Sequence, residues 1–146
     1  MKKAIVIFAL FGVCSLFYSC DLDDDEQNFH FTTLSVVDAN VPDSFAVNTT
    51  YNIEVTYLRP NGCTFFEGFD ITKTGETDRD VLVIGSVITD ETACTQAVEE
   101  VAATFQFTVI FTEDYHFRFY AGQDNEGNSR YLEYTVPVET DTGPAN

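Results

Sequence analysis

The stretch Tyr115-His116-Phe117-Arg118-Phe119-Tyr120-Ala121-Gly122-Gln123-Asp124-Asn125-Glu126-Gly127-Asn128 decides how this chain is read. Phe117, Phe119 and Ala121 alternate with His116, Arg118 and Tyr120. A period of two sends successive side chains to opposite faces, so the run predicts a strand with one apolar face. Asp124 to Asn128 then gathers Asp, Asn and Gly, residues that tolerate the tight backbone of a hairpin tip. The returning strand alternates too: Leu132, Tyr134, Val136 and Val138 against Tyr131, Glu133 and Thr135.

The same period extends upstream. Val101, Ala103, Phe105, Phe107, Val109 and Phe111 form a long alternating run, and Tyr51, Ile53, Val55 and Tyr57 form another. Phe29 to Val37, Cys63 to Ile71 and Asp80 to Ile88 are less regular apolar runs. Turn chemistry separates them: Pro42-Asp43-Ser44, Arg59-Pro60-Asn61-Gly62 and Lys73-Thr74-Gly75-Glu76-Thr77. Thr95 to Ala102 is the one helix-like stretch, with Val98 and Val101 three apart, and predicts at most one turn. Seven short antiparallel strands in about 120 residues point to an immunoglobulin-like β-sandwich.

The closing hairpin resembles that of bacterial Ig-like domains, which run from an aromatic strand through an acidic, Gly-Asn-containing tip. Their final Thr-Val-x-Val strand is here Thr135-Val136-Pro137-Val138. Glu113-Asp114-Tyr115 resembles the tyrosine corner that opens the penultimate strand of such domains. The chain lacks tryptophan, so an antibody-type core is excluded. A lipocalin-like barrel is the structural rival, although it would want eight strands and a Gly-x-Trp opening. With strands running A to G, the B–C, D–E and F–G loops share one end.

The N-terminus reads as an export segment. Lys2 and Lys3 precede an apolar run from Ala4 to Tyr18, too short to span a bilayer comfortably but of normal length for a signal-peptide core. Ser19-Cys20 at its end resembles the lipobox of bacterial lipoproteins, in which the cysteine is acylated and becomes the first mature residue. Leu16-Phe17-Tyr18-Ser19 is bulkier than the common box, a looser form that looks like lipoproteins of Bacteroidota-type bacteria. The acidic run Asp21 to Glu26 resembles their surface-export signal. The implied organisation is a signal peptide over 1–19, an acidic tether over 20–27, the β-sandwich over 28–139 and a flexible tail over 140–146. An outer-membrane lipoprotein, anchored through Cys20 and facing outward, follows from that resemblance. An ordinary cleaved secretory signal is the rival reading, and Cys14 is a poorer lipid site than Cys20.

Composition bounds the partners. Seven Lys and Arg against 24 Asp and Glu give a net charge of -17, which excludes a phosphate-binding, nucleic-acid partner. Fourteen Phe and seven Tyr provide enough apolar surface for a packed core. Of four cysteines, Cys14 leaves with the signal and Cys20 would carry lipid. In an oxidising compartment the remaining pair, Cys63 and Cys94, predicts a disulfide. A zinc site is the alternative, with His30 and His116 the only histidines to complete it.

Catalytic patterns are thin. There is no Gly-x-Ser-x-Gly and no His-Glu-x-x-His. Glu99-Glu100 and Asp78/Asp80 are carboxylate pairs in a chain full of surface acids. The tip Asp124 to Asn128 offers hard oxygens that could suit calcium, without matching an EF-hand. Tyr51, Tyr57, Tyr120, Tyr131 and Tyr134 could form a stacking platform for sugars, or serve as core and cross-strand pairs. The expectation is a non-catalytic binding, adhesion or accessory module, with a glycan-binding accessory of a polysaccharide-uptake system as the alternative. Candidate binding residues are Arg59, Asn61, Asp124, Glu126 and Asn128, at the end that holds the cysteines.

Overall fold

A computed structural model describes residues 28–90 and 93–140. The signal segment, Cys20, the acidic tether and positions 141–146 lie outside the described residues. The described chain is all-β, with about two thirds of it in strands and no helix. Ten strands follow in order: β1 (Phe29–Leu34), β2 (Val36–Asn40), β3 (Phe45–Ala46), β4 (Thr50–Arg59), β5 (Thr64–Lys73), β6 (Asp78–Ile88), β7 (Glu99–Thr108), β8 (Tyr115–Gln123), β9 (Ser129–Val136) and β10 (Val138–Glu139).

Two main sheets form. A three-stranded sheet runs β2-β4-β7, and a five-stranded sheet joins β5, β6, β1, β8 and β9. β6 organises the larger one. One of its edges pairs with β5 from Arg79 to Val87. The other edge is shared: β1 pairs antiparallel with Val83 to Ile88, and β8 pairs parallel with Asp78 to Val81.

This differs from the seven antiparallel strands expected. The first expected strand splits at Ser35, where β1 serves the larger sheet and β2 crosses to pair β4. β1 covers only half of β6, and β8 fills the remaining edge while running in the same direction as β6. Pro137 interrupts the last strand, since proline has no N–H for a ladder. Its carbonyl instead accepts from Phe45 N at 2.8 Å, where the short parallel pair β3–β10 begins. The helical turn expected at 95–102 is absent. Residues 93–98 have no regular structure, and β7 pairs with β4 through ten successive residues. There the period-two apolar pattern prevails over the short helical spacing.

The inner faces meet in one core. Ile53, Val55 and Tyr57 of β4 and Phe105 and Phe107 of β7 join Val81 and Val83 of β6 and Tyr115, Phe117 and Phe119 of β8 in a single buried cluster. Rings interlock across the sheets: Phe107 lies 5.0 Å from Phe117 and 5.2 Å from Tyr115, both edge-to-face. Full burial of each such side chain is worth about 1.5–3 kcal/mol.

Two buried polar groups close the ends of this core. The Tyr115 hydroxyl accepts the backbone N–H groups of Ile110 and Phe111, each at 3.1 Å, which is the bonding a tyrosine corner makes. Arg79 is buried with its guanidinium 5.5 Å from the Tyr115 ring and 5.8 Å from the Phe107 ring. It donates to the carbonyl oxygens of Asp78 and Glu76 at 2.8 and 3.2 Å, so its charge is met by dipoles and rings.

Cys63 and Cys94 form a disulfide with Cα atoms 5.4 Å apart. It staples the β6–β7 connection to the β4–β5 turn. Beside it Gly62 N donates to Thr95 O at 3.0 Å. A β-carbon at Gly62 would stand 2.4 Å from Thr95 Oγ1, so a larger residue there would force the Thr95 side chain to turn. The start of β1 lies at the same pole. Asn28 N and Nδ2 donate to Asp90 Oδ2, while Asn28 O accepts from Thr89 N and Thr89 Oγ1.

Candidate functional site

The outer face of the larger sheet carries a groove of about 400 Å³, lined by Phe29 and Phe31 of β1, Phe65 and Glu67 of β5, and Ser86 and Ile88 of β6. Strand register explains its shape. Phe31 and Phe65 both stand opposite Ser86, one from each flanking strand. Their backbones are therefore two strand spacings apart, about 9.6 Å. The small Ser86 between two large rings leaves a trough. Phe29 opposite Ile88 continues the apolar wall toward the disulfide pole.

These rings are unusually open. Phe29, Phe31 and Phe65 are 55, 64 and 45% exposed. Phe29 and Phe31 support each other edge-to-face at 5.4 Å. Together the three rings form an exposed apolar patch on the outer face.

A β-bulge sets the polar floor. The β5–β6 register shifts between Phe66 and Gly68, so Glu67 has no partner residue of its own. Gly68 takes a φ of 151°, which favours glycine. Bulges of this kind re-aim a side chain. Here the Glu67 carboxylate accepts from Ser86 Oγ at 2.5 Å. Ser86 is buried beneath the exposed Glu67, so the polar part of the groove is one carboxylate held by one hydroxyl.

The residues expected to bind each make local bonds. Arg59 pairs with Glu99, its cross-strand partner on β7. Asn61 Oδ1 accepts from Cys63 N at 3.0 Å and Thr64 Oγ1 at 2.9 Å, which fixes the turn leading into β5. Asp124 accepts from Glu126 N and Asn128 N, each at 2.9 Å, and from Asn128 Nδ2 at 3.1 Å. The Asn128 amide first, then these backbone bonds, holds the Asp124 carboxyl below its ordinary range. Glu126 and Asn128 thus belong to the tip's own bonding. Among the described residues no hydrogen bond or ion pair joins Arg59 or Asn61 to that tip, and no cluster of three metal-ligating side chains forms.

The tyrosines divide. Tyr51 and Tyr57 pack inward on Phe45 and Phe66, and Tyr134 packs edge-to-face on Phe119. Tyr120 and Tyr131 pair on the outer face with centroids 6.0 Å apart. The Arg118 guanidinium lies 4.9 Å over Tyr131 and is paired with Asp80. His116 Nδ1 shares a hydrogen bond with Thr135 Oγ1 at 3.0 Å.

The groove residues were not among the expected site residues. One signal for them exists in the sequence. Phe29 and Phe31 have opposite parity to Leu34 and Val36. A strand cannot bury both sets on one face. Gly68 within an aromatic run marks the bulge in the same way. Compared with known proteins, the chain matches no protein family, no curated protein and no solved structure.

Proposed function

We propose that this chain is a non-catalytic lipoprotein of a bacterial outer membrane, anchored by acyl chains at Cys20, whose body is an Ig-like β-sandwich serving as a binding module of an envelope complex. The observation that carries the reading is the exposed Phe29/Phe31/Phe65 groove. Its apolar walls and polar floor suit a protein partner, and it is built on strands, which hold their side chains more rigidly than loops. The lipobox-like Ser19-Cys20 and the acidic stretch after it support the anchor. Two or more acyl chains hold a protein to a bilayer firmly, where one does so only marginally. The clamp on Asn28 supports a tether entering beside the groove.

A photo-crosslinking residue in place of Phe31, in cells that make the full chain, tests this function. The expected result is a discrete adduct that disappears when Phe65→Ala is added. A residue replacing Thr104 on β7 serves as the control. Equal, diffuse labelling at both positions would overturn the binding face. Loss of fatty-acid labelling in Cys20→Ala tests the anchor.

A second reading has its own observation. The Tyr120–Tyr131 pair with Arg118 beside it offers stacking and hydrogen-bonding groups on the same outer face. This favours a glycan-binding accessory of a polysaccharide-uptake system. Saccharide binding that Tyr131→Ala abolishes and Phe31→Ala spares would support it over the protein partner.

A further inference from the structure

We infer that the groove selects a cationic alkyl side chain, namely a lysine presented by the protein partner. The inference rests on the binding-face reading above and adds the chemistry of the occupant.

Three observations converge. The first is electrostatic. Among the six lining residues Glu67 is the only ionisable one, and no lysine or arginine is among them. Ser86 holds one carboxylate oxygen, Oε1. Among the described residues nothing hydrogen-bonds the other oxygen, so Oε2 is available for a donor. Glu67 is itself exposed, so its carboxylate meets a cation at the open side of the groove, next to the apolar walls. The chain's net charge of -17 also raises the local concentration of cations and disfavours anionic partners.

The second is steric. Phe31 and Phe65 flank Ser86 across two strand spacings, about 9.6 Å between backbones. That gap takes an extended alkyl chain lying between two rings. Four methylenes against Phe31, Phe65 and Ile88, with the ammonium over the floor, match the length and polarity of lysine. The third is the rings themselves. Aromatic faces attract cations, and several rings around one carboxylate form a cage for an ammonium group. Arginine fits less well, because its planar fork needs an in-plane approach to both oxygens, which Ser86 on Oε1 narrows, whereas an ammonium can reach Oε2 from any side.

A direct comparison of three probes tests the inference. The short blocked peptide Gly-Gly-Lys-Gly-Gly, its norleucine counterpart and free butylammonium are titrated into the folded protein, followed by NMR of the Phe29, Phe31 and Phe65 ring signals. The lysine peptide should shift these signals saturably, at least tenfold more tightly than the norleucine peptide. Added salt should weaken it. Glu67→Gln should remove the preference and spare the fold, because the amide oxygen still accepts from Ser86. A matched thermal melt verifies that. Butylammonium binding as tightly as the lysine peptide would point to a free amine, and so would overturn the protein-borne lysine. Equal binding of lysine and norleucine peptides, or a preference unchanged in Glu67→Gln, would overturn the cationic occupant. If the Phe31 crosslink also persists in Glu67→Gln cells, the binding face stands and the lysine chemistry fails. If no crosslink forms in either background, the binding face itself has failed.

Discussion

At the scale of single residues, much of the architecture depends on polar groups that seal an aromatic core. Tyr115 is the clearest. Its hydroxyl accepts two backbone N–H groups, from Ile110 and Phe111. Tyr115→Phe keeps the ring and strands both donors. The expected cost is about 1–3 kcal/mol, the penalty for unsatisfied buried polar groups, read as a lower urea midpoint. An unchanged midpoint would show that water replaces the hydroxyl. Asp90 offers a pH-dependent case. The Asn28 backbone N–H, more than the Asn28 side chain, holds its carboxyl below the ordinary range. A depressed folded pKa means that the ionised form stabilises the fold above the ordinary aspartate value of about 3.9. That contribution is lost as pH falls through the lower, folded value. Asp90→Asn should therefore unfold at lower urea than wild type at neutral pH, with the gap closing in strong acid. A gap that widens on acidification would refute the assignment. The sequence marks Tyr115 through Glu113-Asp114-Tyr115, because the corner is a local motif. It hides the partner of Asp90, because Asn28 is 62 residues away and only the β1–β6 pairing brings them together.

At the scale of elements, legibility follows locality. The hairpin β8–β9 and the separate strands β4 and β7 read out from alternation, since each buries one face only, whereas the β4–β7 pairing joins distant segments and does not. The parallel β6–β8 contact does not, because it arises from how much of one β6 edge β1 leaves uncovered. The groove falls between these cases. Its walls come from the outward phase of β1, and its floor from a bulge that breaks the period of β5. Period reading assigns apolar residues to the core by default, and the irregular runs that hold Phe29, Phe31 and Phe65 fix no face for them. The disulfide was legible because only two cysteines remain for the body of the chain. It closes a sequence separation of 31 residues. A loop of this size predicts about 3–4 kcal/mol of stabilisation from restricting the unfolded chain. The double variant Cys63→Ser/Cys94→Ser should unfold at a clearly lower temperature while keeping its strand signature by circular dichroism. Loss of strand content in that variant at room temperature would mean the staple is required for folding and not merely stabilising.

At the scale of the whole molecule, charge and edges act together. Among the described residues β5 pairs only with β6, and β7 only with β4, so each leaves a ten-residue edge unpaired there. Long unpaired edges invite pairing with another chain, and strong net charge of one sign opposes it. The same charge strains the fold. Among the described residues only two ion pairs form, Arg59–Glu99 and Arg118–Asp80. Both lie near the surface, where solvent screening leaves such pairs little net stabilisation. Repulsion among the remaining acids of a chain carrying -17 outweighs that small attraction. Raising potassium chloride from about 0.01 M to about 1 M shortens the screening length from about 30 Å to about 3 Å, which weakens both terms. Because repulsion is the larger, the urea midpoint should rise with salt, measured at low protein concentration to keep edges apart. Light scattering at high protein concentration should show self-association appear over the same salt range. A midpoint that falls with salt would place the two ion pairs, rather than the acidic field, in control of stability.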